Sequence, residues 1–389
     1  MKVLHYCDAF STLSQTFIYD VIVELDRIQV ENIVVTGRIV NSVDRPYNNV
    51  IKLPVLWIDM AKKVFKKGLE QIGVLNFDWK EEAISLKRKG LLKVVRAQRP
   101  DIIHAHFGTH GSVVLPVAKE LEVPLVVSFH GFDAFLLPNI AGWIEKLKDL
   151  FIGASLITVV SELMKHQLIN LGCPPEKLQV IHVGKKISDY QFKEALNLPI
   201  KNFISIGRLA EKKGHEDTIK AFYELIKVYP SLHLKIIGEG ELKEDLIRLI
   251  KSFNLEKHVT LLGSKSHSQT KEYLAAADAF ILCSKTSSNG DMEGVPTVLM
   301  EAQCMGLPCI TTRHSGIPEV IPVPNYWTLA TEGDINSIVT TIHGLLNCPK
   351  DQLLKTIYAG RAKIESEFNL TIEVAKLKQL FNTLIEKVR

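Results

Sequence analysis

Short, mainly apolar runs alternate along this chain with longer stretches whose apolar residues recur every three or four positions. In the first half the apolar runs fall at 2–7, 32–36, 101–107, 125–129, 156–160 and 178–182. The periodic stretches fall at 15–27, 85–98, 111–121, 143–153 and 162–171. Strands that are apolar on both faces, separated by amphipathic helices, predict a parallel sheet covered on both sides. An irregular patch at 38–78 reads as an insertion or long crossover.

A second series starts at Asn202 with FISIGRL, HLKIIGEG, VTLLGS, AFILCS and PCITTR, each followed by a helical pattern. Two such units predict an α/β protein of two Rossmann-like, doubly wound parallel-sheet domains that bind ligands at the carboxyl ends of their strands. The alternation lapses between 184 and 199, which sets the expected domains at 1–186 and 187–369, and a long helix follows at 370–389.

Composition adds exclusions. With 389 residues, 46% hydrophobic and 23% charged, the chain has enough apolar material for two cores and is not disordered. A net charge of +4 is too small for a nucleic-acid binder held by a general positive field. The six cysteines, at 7, 173, 283, 304, 309 and 348, form no C-x-x-C pair and read as reduced core thiols of a cytoplasmic protein. No apolar run reaches the ~18–20 residues of a membrane span.

Candidate chemistry concentrates at 284–319, SKTSSNGDMEGVPTVLMEAQCMGLPCITTRHSGIPEV. A strand gives way to a Gly294-Val295-Pro296 turn and then a helical pattern, with Pro296 expected in the first helical turn. The amides of Val295, Thr297 and Val298 would then lie at the positive end of a helix dipole, a place for phosphate. Glu293 and Glu301 bracket the turn; Glu301, one turn inside, suits ribose hydroxyls. Upstream, Arg208 and Lys213 lie in IGRLAEKKG after a strand, a planar fork and a point charge for phosphate oxygens, with Lys212 as a partial substitute. Gly238-Glu239-Gly240 and Gly263 mark strand-end turns where backbone can approach a ligand.

These strings fall in register with a known signature. Glu293-Gly294-Val295-Pro296, Glu301-Ala302, Gly306-Leu307-Pro308 and Ser315-Gly316-Ile317-Pro318-Glu319, with the Gly207-Arg208-Leu209 to Lys213-Gly214 element, resemble retaining GT-B glycosyltransferases of the family-four type. The wording NGDMEGVPTVLMEA is similar to that of enzymes building bacterial exopolysaccharide of the colanic-acid type.

The resemblance implies two Rossmann-like domains around an interdomain cleft, with the final helix packed back on the first. It implies that Arg208 and Lys213 hold the donor diphosphate, that Glu301 meets the ribose, and that the base lies by Gly238, Gly263, Ser264 and Lys265. His130 and Asp133, in SFHGFD, match an F-H-G-x-D element whose histidine lies near the transferred sugar, with the aspartate orienting its loop. Glu293 is expected to bind sugar hydroxyls. Ser14, Gln15 and Thr16 take the place of an S-E-T string at the acceptor mouth, with an amide replacing the usual acid. His106, with His104, matches an H-x-H element lining the cleft; no Cys, Asp or Glu joins the pair at ligand spacing, so no metal is expected. A second departure is Val183-Gly184-Lys185, where relatives show G-V-D.

The activity implied is a metal-independent, α-retaining transfer from a UDP-sugar, or a GDP-sugar, to a glycan or polyprenyl-diphosphate-linked acceptor, with no cofactor. No D-x-D motif supplies metal ligands. Two other readings share the shape: a sugar-nucleotide 2-epimerase, and a non-catalytic glycan- or nucleotide-binding partner protein. One further feature bears on location. Between 62 and 99 eleven Lys or Arg face four acids, and Lys89, Lys93 and Arg96 recur opposite Leu91, Val94 and Val95, as on a helix bound to an anionic membrane surface.

Overall fold

The computed structural model describes residues 1–12, 15–43, 45–53 and 79–388. Contacts divide the chain into two units, one of residues 1–159, 165–181 and 374–389, the other of 160–164 and 182–373.

The first unit holds seven parallel strands: β1 (Lys2–Phe10), β2 (Glu31–Ile39), β3 (Val50–Lys52), β4 (Ile102–His106), β5 (Leu125–Phe129), β6 (Leu156–Val159) and β7 (Leu178–Val180). They lie in the order β3-β2-β1-β4-β5-β6-β7. Every residue of β4, β5 and β6 is buried, as a sheet covered on both faces requires. The sequence pattern missed β3, which is three residues long and has no buried side chain to mark it. The order reverses between β1 and β4, which pair in register with Val3 beside Ile102 and His5 beside His104. Loops leaving these two strands diverge, and such a switch point is where doubly wound sheets bind ligands.

The second unit repeats the plan with β8 (Asn202–Ile206), β9 (His233–Ile237), β10 (Val259–Leu261), β11 (Ala279–Leu282), β12 (Cys309–Thr312) and β13 (Leu329–Ala330). Their order, β10-β9-β8-β11-β12-β13, puts the switch point between β8 and β11. Phe203, Phe222, Leu234, Ile236, Ile281 and Ile310 anchor the core beneath it.

The unit boundaries differ from the expected 186/187 break. Lys185 is held in the second unit by bonds to the 368–370 segment, its amide donating to Phe368 O (2.8 Å) and its carbonyl accepting from Leu370 N (3.0 Å). Glu373 accepts from the His182 amide (2.7 Å), and Glu319 accepts from the amides of Glu162 (2.9 Å) and Leu163 (3.1 Å). These bonds draw 160–164 and the first turn of the Leu370–Val388 helix into the second unit. From Val374 onward that helix belongs to the first unit, where Lys378 Nζ donates to Ile28 O (2.6 Å) and Phe381 packs edge-on against His104.

The Trp79–Gln98 helix starts earlier than the periodicity indicates. Its apolar face is spent on the core, with Leu91 and Val95 buried. Lys87 pairs with Asp8 (3.0 Å), Arg88 donates to Ser112 O and Val113 O, and Arg96 pairs with Glu120 (2.7 Å). Lys62, Lys63, Lys66 and Lys67 lie outside the described residues. Among the described residues no helix is long and apolar enough to cross a membrane.

Candidate functional site

In the second unit the two loops at the switch point are stitched together. After β8 the chain makes a 3-10 turn, Glu211–Lys213, and Gly214 (φ 62°) opens the His215–Leu225 helix. A Cβ on Gly214 would lie 1.7 Å from the Cys283 carbonyl oxygen, so only glycine lets Lys213 approach the end of β11 this closely. Lys285 N donates to Lys212 O (2.9 Å), and Ser288 donates twice to Glu211 (3.0 and 2.8 Å).

Lys212 is committed to this stitching: its Nζ meets both Asp291 (3.0 Å) and Met292 O (3.2 Å). It shapes the 285–292 loop and has no freedom to replace Lys213. Lys213 lies across Gly207 and pairs with Glu293. Burial pushes the Glu293 carboxyl up, but Lys213 and Lys212 outweigh it and hold the group below its usual range. Arg208 is exposed and pairs with no carboxylate among the described residues. Lys213 and Glu293 thus meet at the carboxyl ends of β8 and β11, with Arg208 exposed on the same loop after β8.

The next helix is Thr297–Cys304, with Pro296 as its N-cap, one residue earlier than expected. The amides of Val295, Thr297 and Val298 donate to no acceptor among the described residues. Unserved amides at a helix start suit an anion. The Glu293 amide donates to His314 Nε2 (3.1 Å), and His314 Nδ1 bonds Glu332 (2.7 Å). His314 is buried, and with Glu332 it fixes the backbone just before Gly294. Glu301 is buried too, its Oε1 2.5 Å from Lys185 Nζ.

The glycine turns behave differently from expectation. A Cβ on Gly238 would meet Gly207 O at 1.9 Å, and one on Gly240 would meet Leu209 O at 2.4 Å. These glycines admit the chain's own backbone, which seats the Arg208 loop. Gly263 (φ 71°) closes the turn beside them, its carbonyl accepting from Gly238 N (3.1 Å). Ser264 is exposed and Lys265 half-buried.

In the first unit, His130 follows β5 with both ring nitrogens buried and unpartnered. Phe17 and Phe107 hold the ring (centroids 4.5 and 4.9 Å), and burial with His110 nearby lowers its pKa to about 3. It is therefore neutral, with one donor and one acceptor to offer. Asp133 is fully buried and accepts from the amides of Gly108 (2.9 Å), His130 (2.9 Å) and Gly131 (3.1 Å). It orients the His130 loop and presents no surface to an acceptor. His106 is likewise buried, packed on His104 (4.3 Å) and 3.3 Å from His5 Nδ1, so it lines no open surface. Gln15 is the N-cap of the Thr16–Arg27 helix, and both Gln15 and Thr16 are half-buried; Ser14 lies outside the described residues.

Comparison with known proteins bears on this geometry. Residues 15–185 match the model described as Glycosyltransferase Family 4, and 186–379 the model described as Glycosyl transferases group 1. The chain is 36% identical over 288 residues to the amylovoran biosynthesis glycosyltransferase AmsK of Erwinia amylovora, covering 73% of this chain and 70% of that one. The chain belongs to the GT-B glycosyltransferases of the family-four type.

A second relative is the proposed colanic acid biosynthesis glycosyltransferase WcaL of Escherichia coli K12, 31% identical over 319 residues and 78% of both chains. Among solved structures, Anabaena Alr3699/HepE in complex with UDP and glucose superposes with a TM-score of 0.76 at 17% identity, over 98% of this chain and 100% of that one. That likeness shows a shared GT-B fold of two parallel-sheet domains.

Within this GT-B chain the structure brings Arg208, Lys213, Glu293 and the Val295–Val298 amides to one switch point. His314, Glu332 and Lys185 join this neighbourhood without a motif to announce them. His314 lies inside the quoted 284–319 stretch, one residue before Ser315-Gly316, and that adjacency was its only signal. Lys185 was visible as a departure from G-V-D, but its partner lies 116 residues away. His5 gave no signal at all.

Proposed function

We propose that this glycosyltransferase moves a sugar from a nucleotide-diphosphate donor, a UDP-sugar ahead of a GDP-sugar, to a glycan or polyprenyl-diphosphate-linked acceptor in surface-polysaccharide assembly, with retention of the α configuration. The relatives' pathways, amylovoran and colanic acid, support the polysaccharide context, and the UDP bound by the structural neighbour supports the donor class.

The observation that carries the donor reading is the convergence of Lys213, exposed Arg208 and three unserved amides at the β8/β11 switch point. Fixed positive charge aimed at a leaving diphosphate stabilises it as the glycosidic bond breaks. Lys213 exchanges Glu293 for phosphate oxygens, which releases the Glu293 carboxylate for a sugar hydroxyl. Glu301 receives ribose hydroxyls, and the turns at Gly238, Gly263, Ser264 and Lys265 receive the base. The departing diphosphate oxygen takes the proton of the incoming hydroxyl, so the acceptor oxygen adds on the face the leaving group vacates. Neutral His130 donates to or accepts from a hydroxyl of the transferred sugar. The protein's cations supply the charge a metal clamp would otherwise bring, so no metal takes part in transfer.

A thermal-shift series with UDP, GDP and ADP, followed by donor turnover with and without a glycan acceptor, tests the reading. Stabilisation by UDP or GDP and turnover only with acceptor support it. Acceptor-independent conversion of the donor would favour a 2-epimerase, and nucleotide binding without turnover a non-catalytic binding protein. Transfer by chelator-treated enzyme that is not raised by added magnesium or manganese supports the metal-free chemistry.

A further inference from the structure

Three histidines share one buried face of the first unit's sheet. His5 on β1 and His104 on β4 are register partners, and His106, two residues further along β4, points to the same side. All three are at most 2% exposed. One nitrogen from each can be chosen so that all three lie within 4.8 Å of one another. His5 Nδ1 and His106 Nε2 are already 3.3 Å apart. That is about the separation of two imidazole nitrogens on a tetrahedral zinc with bonds of ~2.0–2.1 Å. Closing the remaining gaps needs imidazole rotation and no change in strand register.

The outer contacts of the cluster orient it inward. Asn32 Nδ2 donates to Asp26 Oδ1 (2.7 Å) and Val30 O (2.9 Å), which fixes the amide and leaves Oδ1 to accept from His5 Nε2 (2.9 Å). The His5 proton is therefore on Nε2, and Nδ1 presents its lone pair to the other two rings. Such an outer acceptor is the usual companion of a metal-bound histidine. His104 Nε2 is occupied by Ser128 Oγ (2.7 Å), itself bonded to Thr158 (2.6 Å), while His104 Nδ1 is buried without a partner. His106 Nδ1 is buried and unpartnered as well. The orphaned His104 Nδ1 is costly to bury and calls for a ligand.

We infer that His5, His104 and His106 form a three-histidine site for a borderline transition-metal ion, zinc(II) first, that ties β1 to β4 beneath the His130 loop. Three neutral imidazoles without carboxylate or thiolate favour zinc, copper or nickel over magnesium or calcium. On binding, His106 Nε2 gives up its bond to His5 and its proton moves to Nδ1. The site is structural: His106 ends β4, directly before the Phe107–Gly108 turn that Asp133 joins to the His130 loop.

The experiment is to produce the untagged full chain in medium supplemented with cobalt(II). The expected result is one cobalt per chain, an intense tetrahedral d–d band in visible light, and displacement by zinc. His104→Gln and His5→Gln should each lower uptake at least tenfold, while His166→Gln, on an exposed helix position, should leave it unchanged. A folded wild-type chain carrying less than a tenth of an equivalent of metal would overturn the inference, as would full uptake by either cluster variant. If the variants do not fold, zinc X-ray absorption of the wild type decides: a first shell of three histidine nitrogens supports the site, and a six-oxygen shell refutes it.

Discussion

Lys185 Nζ lies 2.5 Å from Glu301 Oε1, with the two side chains only 4% and 8% exposed. Removing one partner of such a pair strands the other charge in a poorly solvated place, at a cost of about 3–5 kcal/mol. We expect Lys185→Met and Glu301→Ala each to lower the melting temperature sharply, and Lys185→Met/Glu301→Leu to recover much of the loss. Strictly additive losses would mean that the two residues are not energetically coupled. Glu301→Ala should also weaken UDP or GDP binding, which calorimetry reads separately from stability.

Lys213→Ala should reduce nucleotide affinity more than tenfold, since a charge-assisted bond contributes about 1.5–3 kcal/mol. Lys212→Ala should act differently, by loosening the Asp291–Met292 contact and lowering stability before affinity. Wild-type UDP and GDP affinities in Lys213→Ala would remove the diphosphate from this switch point.

His130→Ala should leave nucleotide affinity nearly unchanged and reduce kcat, because its ring belongs to the first unit and its two nitrogens have no protein partner to lose. Normal turnover by that variant would return His130 to packing between Phe17 and Phe107.

His215 supplies a pH prediction. Burial and then Lys213 lower its pKa from 6.5 to about 4. The unfolded chain binds this proton first, so the stability contribution is complete above pH 6.5 and is lost as pH falls toward the folded value. Between pH 7 and pH 5 the loss from this one group is about 2 kcal/mol. Calorimetric unfolding of wild type against His215→Asn should show a shallower acid dependence in the variant; parallel slopes would contradict the assignment.

Membrane attachment has a narrower basis than the charge count of the 62–99 segment indicates. With Lys87, Arg88 and Arg96 engaged within the fold, exposed Lys89, Lys93 and Arg99 remain on the described part, about 1 kcal/mol each against an anionic surface. We expect weak, salt-sensitive sedimentation with anionic vesicles that Lys89→Glu/Lys93→Glu abolishes. Equal sedimentation of the two proteins at low salt would place any membrane contact elsewhere.

Periodicity located the long elements well because their burial is written in adjacent residues: β5 and the Trp143–Gly153 helix match the pattern to the residue, and the Leu370–Val388 helix to within one. Apart from β3, too short and too little buried to leave a pattern, what it missed at the sites lies far apart along the chain. The Lys185–Glu301 pair and the His5–His104–His106 cluster join residues about a hundred positions apart, through crossover connections that local spacing does not encode. Asp133 shows a second limit. A motif told which loop it serves, but only coordinates show that all its bonding capacity goes to three backbone amides.

The tail of the Leu370–Val388 helix has a consequence for synthesis. Phe381 and Lys378 complete a unit whose first strand begins at Lys2, so an emerging chain exposes the ring face of His104 and the carbonyl of Ile28 until residue 381 has cleared the ribosome. The second unit, closed by residue 373, can finish before the first. Loss of the residues after Glu373 would therefore injure the half of the molecule that was made first.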